Sequence, residues 1–276
     1  MRRCQLIWGL LLGTLLGLGH ATAEGVEDEA KVQIRVHYLA QFAQYVEEKD
    51  LYETEVILDI GKSFSCFYGL NSVQRDLIKE RILAQGGSLE DVQSAWAKSG
   101  YPVSNFRYKV WKNYPQKNTL TYTEQNFKRL RYTEKMTPPE WTLLPTDTII
   151  AGYRCQQAEA DYLGRHWRVA YTPEIPISDG PWKLYGLPGL ILHAAESEGI
   201  FAFSCIEIER VEDEELLYPN KKYVDCTKEE YHELKHLEAK SFSDFFKRMN
   251  GHELKSWDQY GNRMVYSEKT AILMER

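Results

Sequence analysis

The sequence lacks a second long apolar run after the N-terminal one, an excess of positive charge and a closely spaced cysteine pair. Each absence excludes a class of protein. Beyond the N-terminal run, no stretch approaches the roughly 20 apolar residues that a membrane-spanning helix needs. The formal net charge is −6, which disfavours nucleic acid because phosphates reward clusters of Lys and Arg. No cysteines form a C-x-x-C pair, so neither a zinc knuckle nor a thioredoxin-type site is indicated.

Signature motifs of common enzymes are also missing. The chain contains no G-x-S-x-G nucleophile elbow, no P-loop and no G-x-G-x-x-G fingerprint. It has no internal repeat, no low-complexity tract and no long Gly/Ser linker. Its length suits one large domain or two small ones, and we predict a single domain over residues 24–276.

The N-terminus, in contrast, has the pattern of a secretory signal. Arg2 and Arg3 precede an almost wholly apolar run over residues 6–19, and Ala21-Thr22-Ala23 places small residues at a cleavage site. The alternative is a membrane anchor, but the run is short for a spanning helix. We therefore predict a signal peptide over residues 1–23 and a mature protein that works outside the cytoplasm.

Four cysteines remain after this cleavage. An even number in an oxidising compartment favours two structural disulfides, although the spacing does not select the pairing. Buried free thiols are the alternative. The four candidates are Cys66, Cys155, Cys205 and Cys226.

Period-two alternation of apolar and polar residues dominates the middle of the chain and predicts half-buried strands. Such runs cover residues 106–110, 119–123, 127–133, 148–155, 166–171, 190–195 and 200–208. Helical spacing appears over residues 72–85, after Ser88, and from Thr227 onward. These patterns predict an α+β, β-rich fold, with a curved antiparallel sheet or partial barrel and with N-terminal and C-terminal helices packed on it.

The most distinctive text lies within residues 141–195. It includes Gly152-Tyr153-Arg154-Cys155, Tyr171-Thr172-Pro173, Gly180-Pro181-Trp182 and the hexapeptide Gly186-Leu187-Pro188-Gly189-Leu190-Ile191. These motifs resemble the GLPGLI family of secreted envelope proteins of Gram-negative bacteria, whose biochemical role is not established. The resemblance implies a location in the periplasm or cell envelope and an accessory role beside outer-membrane transport. It implies no catalytic residues.

The hexapeptide can also be interpreted physically. Pro188 followed by Gly189 matches a type II turn, in which the glycine takes a positive φ. Gly186 would allow a close approach to a neighbouring segment, and residues 190–192 would begin a buried strand. We expect a structural corner; the alternative is a pocket lined by its amides together with Asp179 or His193.

A second motif, His232-Glu233-Leu234-Lys235-His236, spells H-E-x-x-H. On a helix, His232 and His236 share a face and could bind zinc, with Glu233 as the general base. Thr227 and Glu230 form a capping box that predicts this helix. The helix is polar almost all round, unlike a buried active-site helix, so we favour a surface match without a metal.

Three functions are compatible with these observations. The first is a non-enzymatic envelope protein whose concave face holds a small apolar ligand or whose rim meets an outer-membrane transport protein, because aromatic residues commonly line such sites. The second is a hydrolase that uses zinc as its cofactor at the H-E-x-x-H motif. The third is a purely structural module.

Overall fold

The computed structural model describes residues 31–125, 128–217, 221–254, 264 and 266–275. The predicted signal peptide, residues 1–23, lies outside them. The chain begins with β1 (Val32–Phe42), β2 (Tyr52–Gly61), β3 (Ser65–Gly69), α1 (Leu70–Ala84) and α2 (Leu89–Lys98). There follow β4 (Tyr108–Lys112), β5 (Thr119–Gln125), β6 (Arg129–Lys135), β7 (Thr142–Ile150), β8 (Tyr153–Tyr162), β9 (Arg165–Thr172), β10 (Leu190–Glu196), β11 (Phe201–Arg210), β12 (Val224–Asp225), α3 (Lys228–Lys240) and α4 (Phe242–Asn250).

These strands form one sheet in the order β12-β6-β5-β4-β3-β2-β1-β11-β10-β9-β8-β7. The sheet is open, with β12 and β7 at its two ends. The predicted α+β class with a curved sheet is therefore confirmed. One detail is wrong: the sheet is mixed, because the short strand β12 runs parallel to β6 while the other described pairs are antiparallel.

The curvature of the sheet brings distant strands together on one face. Phe67 on β3 and Phe203 on β11 have ring centroids 5.6 Å apart, although three strand spacings would separate them by about 14 Å in a flat sheet. Tyr38 on β1 donates a hydrogen bond to the Ile191 carbonyl of β10 at 2.6 Å. We call this face, which α3 and α4 cover, the inner face.

The two faces bury separate cores. The inner core contains the aromatic residues of most strands together with Tyr231, Leu234, Phe245 and Met249 of α3 and α4. The outer core is smaller and lies beneath α1, where Val73 packs in the same cluster as Trp111. No helix in the described part of the chain is long and apolar enough to cross a membrane.

Most predicted elements are found close to their predicted bounds. The helix predicted at 72–85 is α1, and both capping boxes, Ser88 with Asp91 and Thr227 with Glu230, are formed. The strand predicted at 148–155 is wrong, because Ala151 and Gly152 have positive φ and turn the chain from β7 into β8.

The predicted disulfides are not formed in the structure, where Cys66, Cys155, Cys205 and Cys226 are free thiols. Cys66 lies in the outer core, whereas Cys155 and Cys205 belong to the inner core. The sheet therefore separates Cys66 from the other two. Cys155 on β8 and Cys205 on β11 have two strands between them in the sheet. Burial raises the pKa of the Cys205 thiol to about 12 and also raises the pKa of Cys66, so both stay protonated at neutral pH.

Candidate functional site

The hexapeptide ends the connection from β9 to β10 and supplies the first two residues of β10, and its two glycines exchange the roles expected of them. Gly186 has the positive φ, at +100°. Gly189 provides the close approach: a Cβ there would lie 2.7 Å from the carbonyl carbon of Thr172 and would overlap its oxygen. The predicted type II turn with a positive φ at Gly189 is therefore wrong. The strand after it is confirmed, since residues 190–192 are fully buried.

Asp179 and His193 are the residues that could have lined a pocket at this corner. Each contacts neighbouring protein groups instead. The Asp179 carboxylate forms an ion pair with the buried ammonium group of Lys112 and accepts a hydrogen bond from the Gly180 amide at 2.7 Å. His193 lies 3.1 Å from the Ser204 hydroxyl, and burial lowers its pKa. Neither residue lines the cavities described below.

Helix α3 carries the H-E-x-x-H motif and turns it only partly inward. Glu233 and His236 are exposed, while His232 is half-buried with its Nε2 3.3 Å from Glu275. Among the described residues, no group of three or more His, Cys, Asp or Glu side chains is arranged to hold a metal. The zinc site stays a prediction from the sequence. The face that α3 presents to the inner core carries Tyr231 and Lys235 instead.

The inner face contains a cavity of about 100 Å³ with aromatic walls. We call it the aromatic cavity; its rings belong to Phe42, Tyr45, Tyr108, Tyr122, Trp182, Phe201 and Tyr231. Tyr108 and Tyr122 stack across β4 and β5 with centroids 5.4 Å apart, and Tyr122 stacks on Tyr132 of β6 at 4.9 Å. This ladder of cross-strand pairs holds the wall rigid.

One end of the aromatic cavity is charged. The Glu124 carboxylate accepts a hydrogen bond from Lys235 Nζ at 2.9 Å and another from the Tyr231 hydroxyl, and Lys235 also binds Glu238 at 2.8 Å. Burial opposes ionisation of both partners. Nevertheless, Lys235 and Tyr231 lower the pKa of Glu124, and Glu124 and Glu238 raise the pKa of Lys235. Both groups are therefore charged at neutral pH.

This charged end opens into a wider polar cleft of about 630 Å³, which we call the outer cleft. Glu124, Lys235 and Glu238 line both spaces. Arg107 and Lys269 line the outer cleft and not the aromatic cavity. The arrangement resembles a common type of ligand site, an apolar compartment with a few polar groups at its entrance.

The segment 266–275 forms another wall of the aromatic cavity. Its Ile272 amide donates to the Gln44 carbonyl at 2.8 Å, and the Arg165 guanidinium donates to the carbonyls of Leu273 and Met274 at 2.6 Å and 3.0 Å. The segment thus closes the inner face beside β1 and β9. A ligand would enter from the outer cleft.

Beneath this segment lies a largely buried set of polar and charged side chains, which we call the charge network. The fully buried ammonium group of Lys183 donates to the two oxygens of Glu275 at 3.0 Å and 2.9 Å and to the Tyr132 hydroxyl at 3.1 Å. Lys228 binds Glu275 at 2.6 Å. The network consists of Tyr132, Glu134, Lys183, Lys228, His232 and Glu275. It fixes the segment 266–275 against β6 and α3.

The charge network should make the protein sensitive to acid. Burial alone would raise the pKa of Glu275, but the hydrogen bonds from His232 and Lys228 and the charge of Lys183 together lower it well below the usual 4.5. A lowered carboxyl pKa in the folded state contributes stability above the unfolded pKa and loses it as the pH falls. We expect the free energy of unfolding to decrease steadily below about pH 4.5, as measured by urea titration.

The matched variants are Glu275→Gln and Glu233→Gln. Glu275→Gln should flatten this acid dependence, because it removes the carboxylate that titrates. Glu233→Gln removes an exposed carboxylate from the other side of α3 and should keep the wild-type slope. Equal slopes for wild type and Glu275→Gln would show that the network does not contribute in this way.

The residues that build this site were not predicted from the sequence. Lys183 lies between Trp182 and Leu184, and a lysine at the centre of an apolar segment is a signal that could have been noticed. Tyr231 directly precedes His232, and Lys235 directly precedes His236. Glu275 belongs to a segment with no periodic pattern, and no sequence signal marks it.

The middle of the chain is similar to a known protein family. A family model described as a protein of unknown function (Porph_ging) matches residues 112–193, which contain Lys183 and the hexapeptide. No curated protein matches the chain. Two structures of PNGF-II, in the P21 and C2 space groups, align over 74% of this chain and 33% of theirs, with a TM-score of 0.48 and 13% identity. This chain spans about a third of the solved chains it matches. It is similar, over residues 112–193, to a family of unknown function, which fits the resemblance inferred from the hexapeptide without testing the GLPGLI name.

Proposed function

We propose that this protein is a non-enzymatic binding protein of the cell envelope that holds a small ligand in the aromatic cavity. The observation that supports this is the cavity itself: aromatic walls, a charged end and an opening into the outer cleft. The N-terminal pattern over residues 1–23 supports export. Within the periplasm, such a protein would pass its ligand to or from an outer-membrane transport protein.

The size and chemistry of the cavity limit the ligand. An engineered apolar cavity of roughly 150 Å³ binds benzene, so a space of about 100 Å³ accepts a group no larger than one small ring. Glu124 and Lys235 at its end favour a ligand with a hydroxyl, amine or other polar group beside that ring. The remainder of a larger ligand would occupy the outer cleft.

Ligand binding can be tested by native mass spectrometry. The mature protein, incubated with the small-molecule fraction of its own cells, should retain a non-covalent adduct. Ala43 is buried and lines the aromatic cavity. Ala43→Leu fills part of that space and should reduce the adduct at least about tenfold, equivalent to about 1.4 kcal/mol of binding energy.

The matched control is Ala84→Leu, the same substitution at an exposed position at the end of α1. It should retain the adduct at the wild-type level. Thermal unfolding of both variants checks that they fold. A wild-type protein with no adduct, or equal adducts in wild type and Ala43→Leu, would disprove the proposal.

A further inference from the structure

Another cleft lies on the outer face of the sheet, the face opposite the one that α3 and α4 cover. It is bounded by α1, α2 and the strands β4, β5 and β6. Its volume is about 390 Å³. We call it the basic cleft. Its charged lining residues are Arg75, Asp76, Arg107, Lys109, Arg129 and Lys221, so five cations face one carboxylate in a protein with a formal net charge of −6.

The few carboxylates near the basic cleft are already bound. Asp76 lies 3.5 Å from Lys221 Nζ, and Glu80 pairs with the same ammonium group. Within the described part of the chain, Arg107, Lys109 and Arg129 form no ion pair; the Arg129 guanidinium donates only to the Gln125 amide oxygen at 3.2 Å. Three cations therefore face the cleft without an opposite charge in contact.

Such a concentration of charge is unfavourable unless an anion enters. Lys109 is half-buried, and burial lowers its pKa; the charge of Lys221 acts in the same direction, whereas Cys66, Asp76 and Glu80 act against it. Like charges grouped around a partly desolvated space repel each other, and an anionic ligand removes that repulsion. The cleft thus has the electrostatics of an anion-binding site.

The walls of the cleft restrict the size of the anion. Arg75 is fixed, with its guanidinium 4.2 Å from the centre of the Trp96 ring and 3.0 Å from the Tyr101 carbonyl. Tyr223 also lines the cleft. The lining residues surround a space of about 390 Å³, which suits a small molecule better than a nucleic acid or another long polymer.

We propose that the basic cleft binds a small molecule carrying two or more phosphate or sulfate groups. Arginines recognise these tetrahedral oxyanions with paired hydrogen bonds, and Lys109 supplies a point charge at the base of the cleft. Two or more anionic groups are needed to neutralise three unpaired cations. This site does not include the aromatic cavity, and it shares Arg107 with the outer cleft.

Isothermal titration calorimetry with inorganic tripolyphosphate and with a disulfated disaccharide tests the proposal and distinguishes the two sources of oxyanion. We expect saturable binding of at least one probe at low salt, weakened as the ionic strength rises from about 0.05 M to about 0.5 M. Arg129→Gln and Lys109→Gln should each lower the affinity at least about tenfold, which corresponds to one charge-assisted hydrogen bond.

Lys135→Gln is the matched control, because Lys135 is an exposed cation at the far end of β6 and lies outside the cleft. It should bind the probes within about twofold of wild type, well under the 1.4 kcal/mol of a tenfold change. Should Lys109→Gln fail to fold, Arg129→Gln still provides the test. Absence of saturable binding for both probes, or equal losses in Arg129→Gln and Lys135→Gln, would overturn the proposal.

Discussion

Replacing Lys183 with Met should lower the free energy of unfolding by about 3–5 kcal/mol. The lysine is fully buried, and its ammonium group contacts Glu134, Tyr132 and both oxygens of Glu275. Met preserves most of the apolar stem, so the main loss is the cation that compensates two carboxylates in the interior. Urea unfolding followed by circular dichroism measures the change.

Two further variants separate charge from packing. Lys135→Met, at an exposed position on the strand that carries Glu134, should change stability by less than about 0.5 kcal/mol. The double variant Lys183→Met with Glu275→Gln should be more stable than Lys183→Met alone, because it removes a carboxylate left without its main partner. A double variant with simply additive losses would mean that the two side chains do not act as an ion pair.

Gly189→Ala should destabilise the protein by about 3 kcal/mol. A Cβ at this position would meet backbone rather than a movable side chain: it would lie 2.7 Å from the Thr172 carbonyl carbon and 3.0 Å from the Pro173 nitrogen. Leu190 pairs with Thr172 in the sheet, so β10 and β9 would have to separate where the inner core is fully buried. Thermal or urea unfolding measures the loss.

Gly199→Ala is the matched control for this effect. Gly199 has a φ of +72°, and a Cβ there would have nothing within 4 Å. Its substitution should therefore cost only the backbone term, about 1–2 kcal/mol. If Gly189→Ala is no more destabilising than Gly199→Ala, the close approach of the corner to β9 is not what requires glycine at position 189.

Local patterns in the sequence predicted the elements of this fold well, because they depend on neighbouring residues. Alternation located β4, β5, β6, β9, β10 and β11, and the capping boxes at Ser88 and Thr227 located two helices. The parallel strand β12 was not predicted, since its two residues, Val224–Asp225, are too few to show a period. The pairing of β1 with β11 likewise depends on contacts far apart in the chain.

The functional side chains were harder to predict because tertiary contacts define them. The capping box correctly predicted α3, yet no property of the motif shows which side of the helix faces the sheet. The structure directs Tyr231 and Lys235 inward and leaves Glu233 and His236 exposed. Lys183 and Glu275 are 92 residues apart in the chain, so their pairing becomes visible only when the sheet and the segment 266–275 are in place.

A crystal structure of residues 24–276 soaked with phenol tests the central claim most directly, since phenol combines one ring with one hydroxyl. We predict that its ring lies in the aromatic cavity between Tyr108, Tyr122 and Phe201, with its hydroxyl directed toward Glu124 and Lys235. An interior filled by the protein's own side chains, with phenol absent or bound only at the surface, would contradict the account.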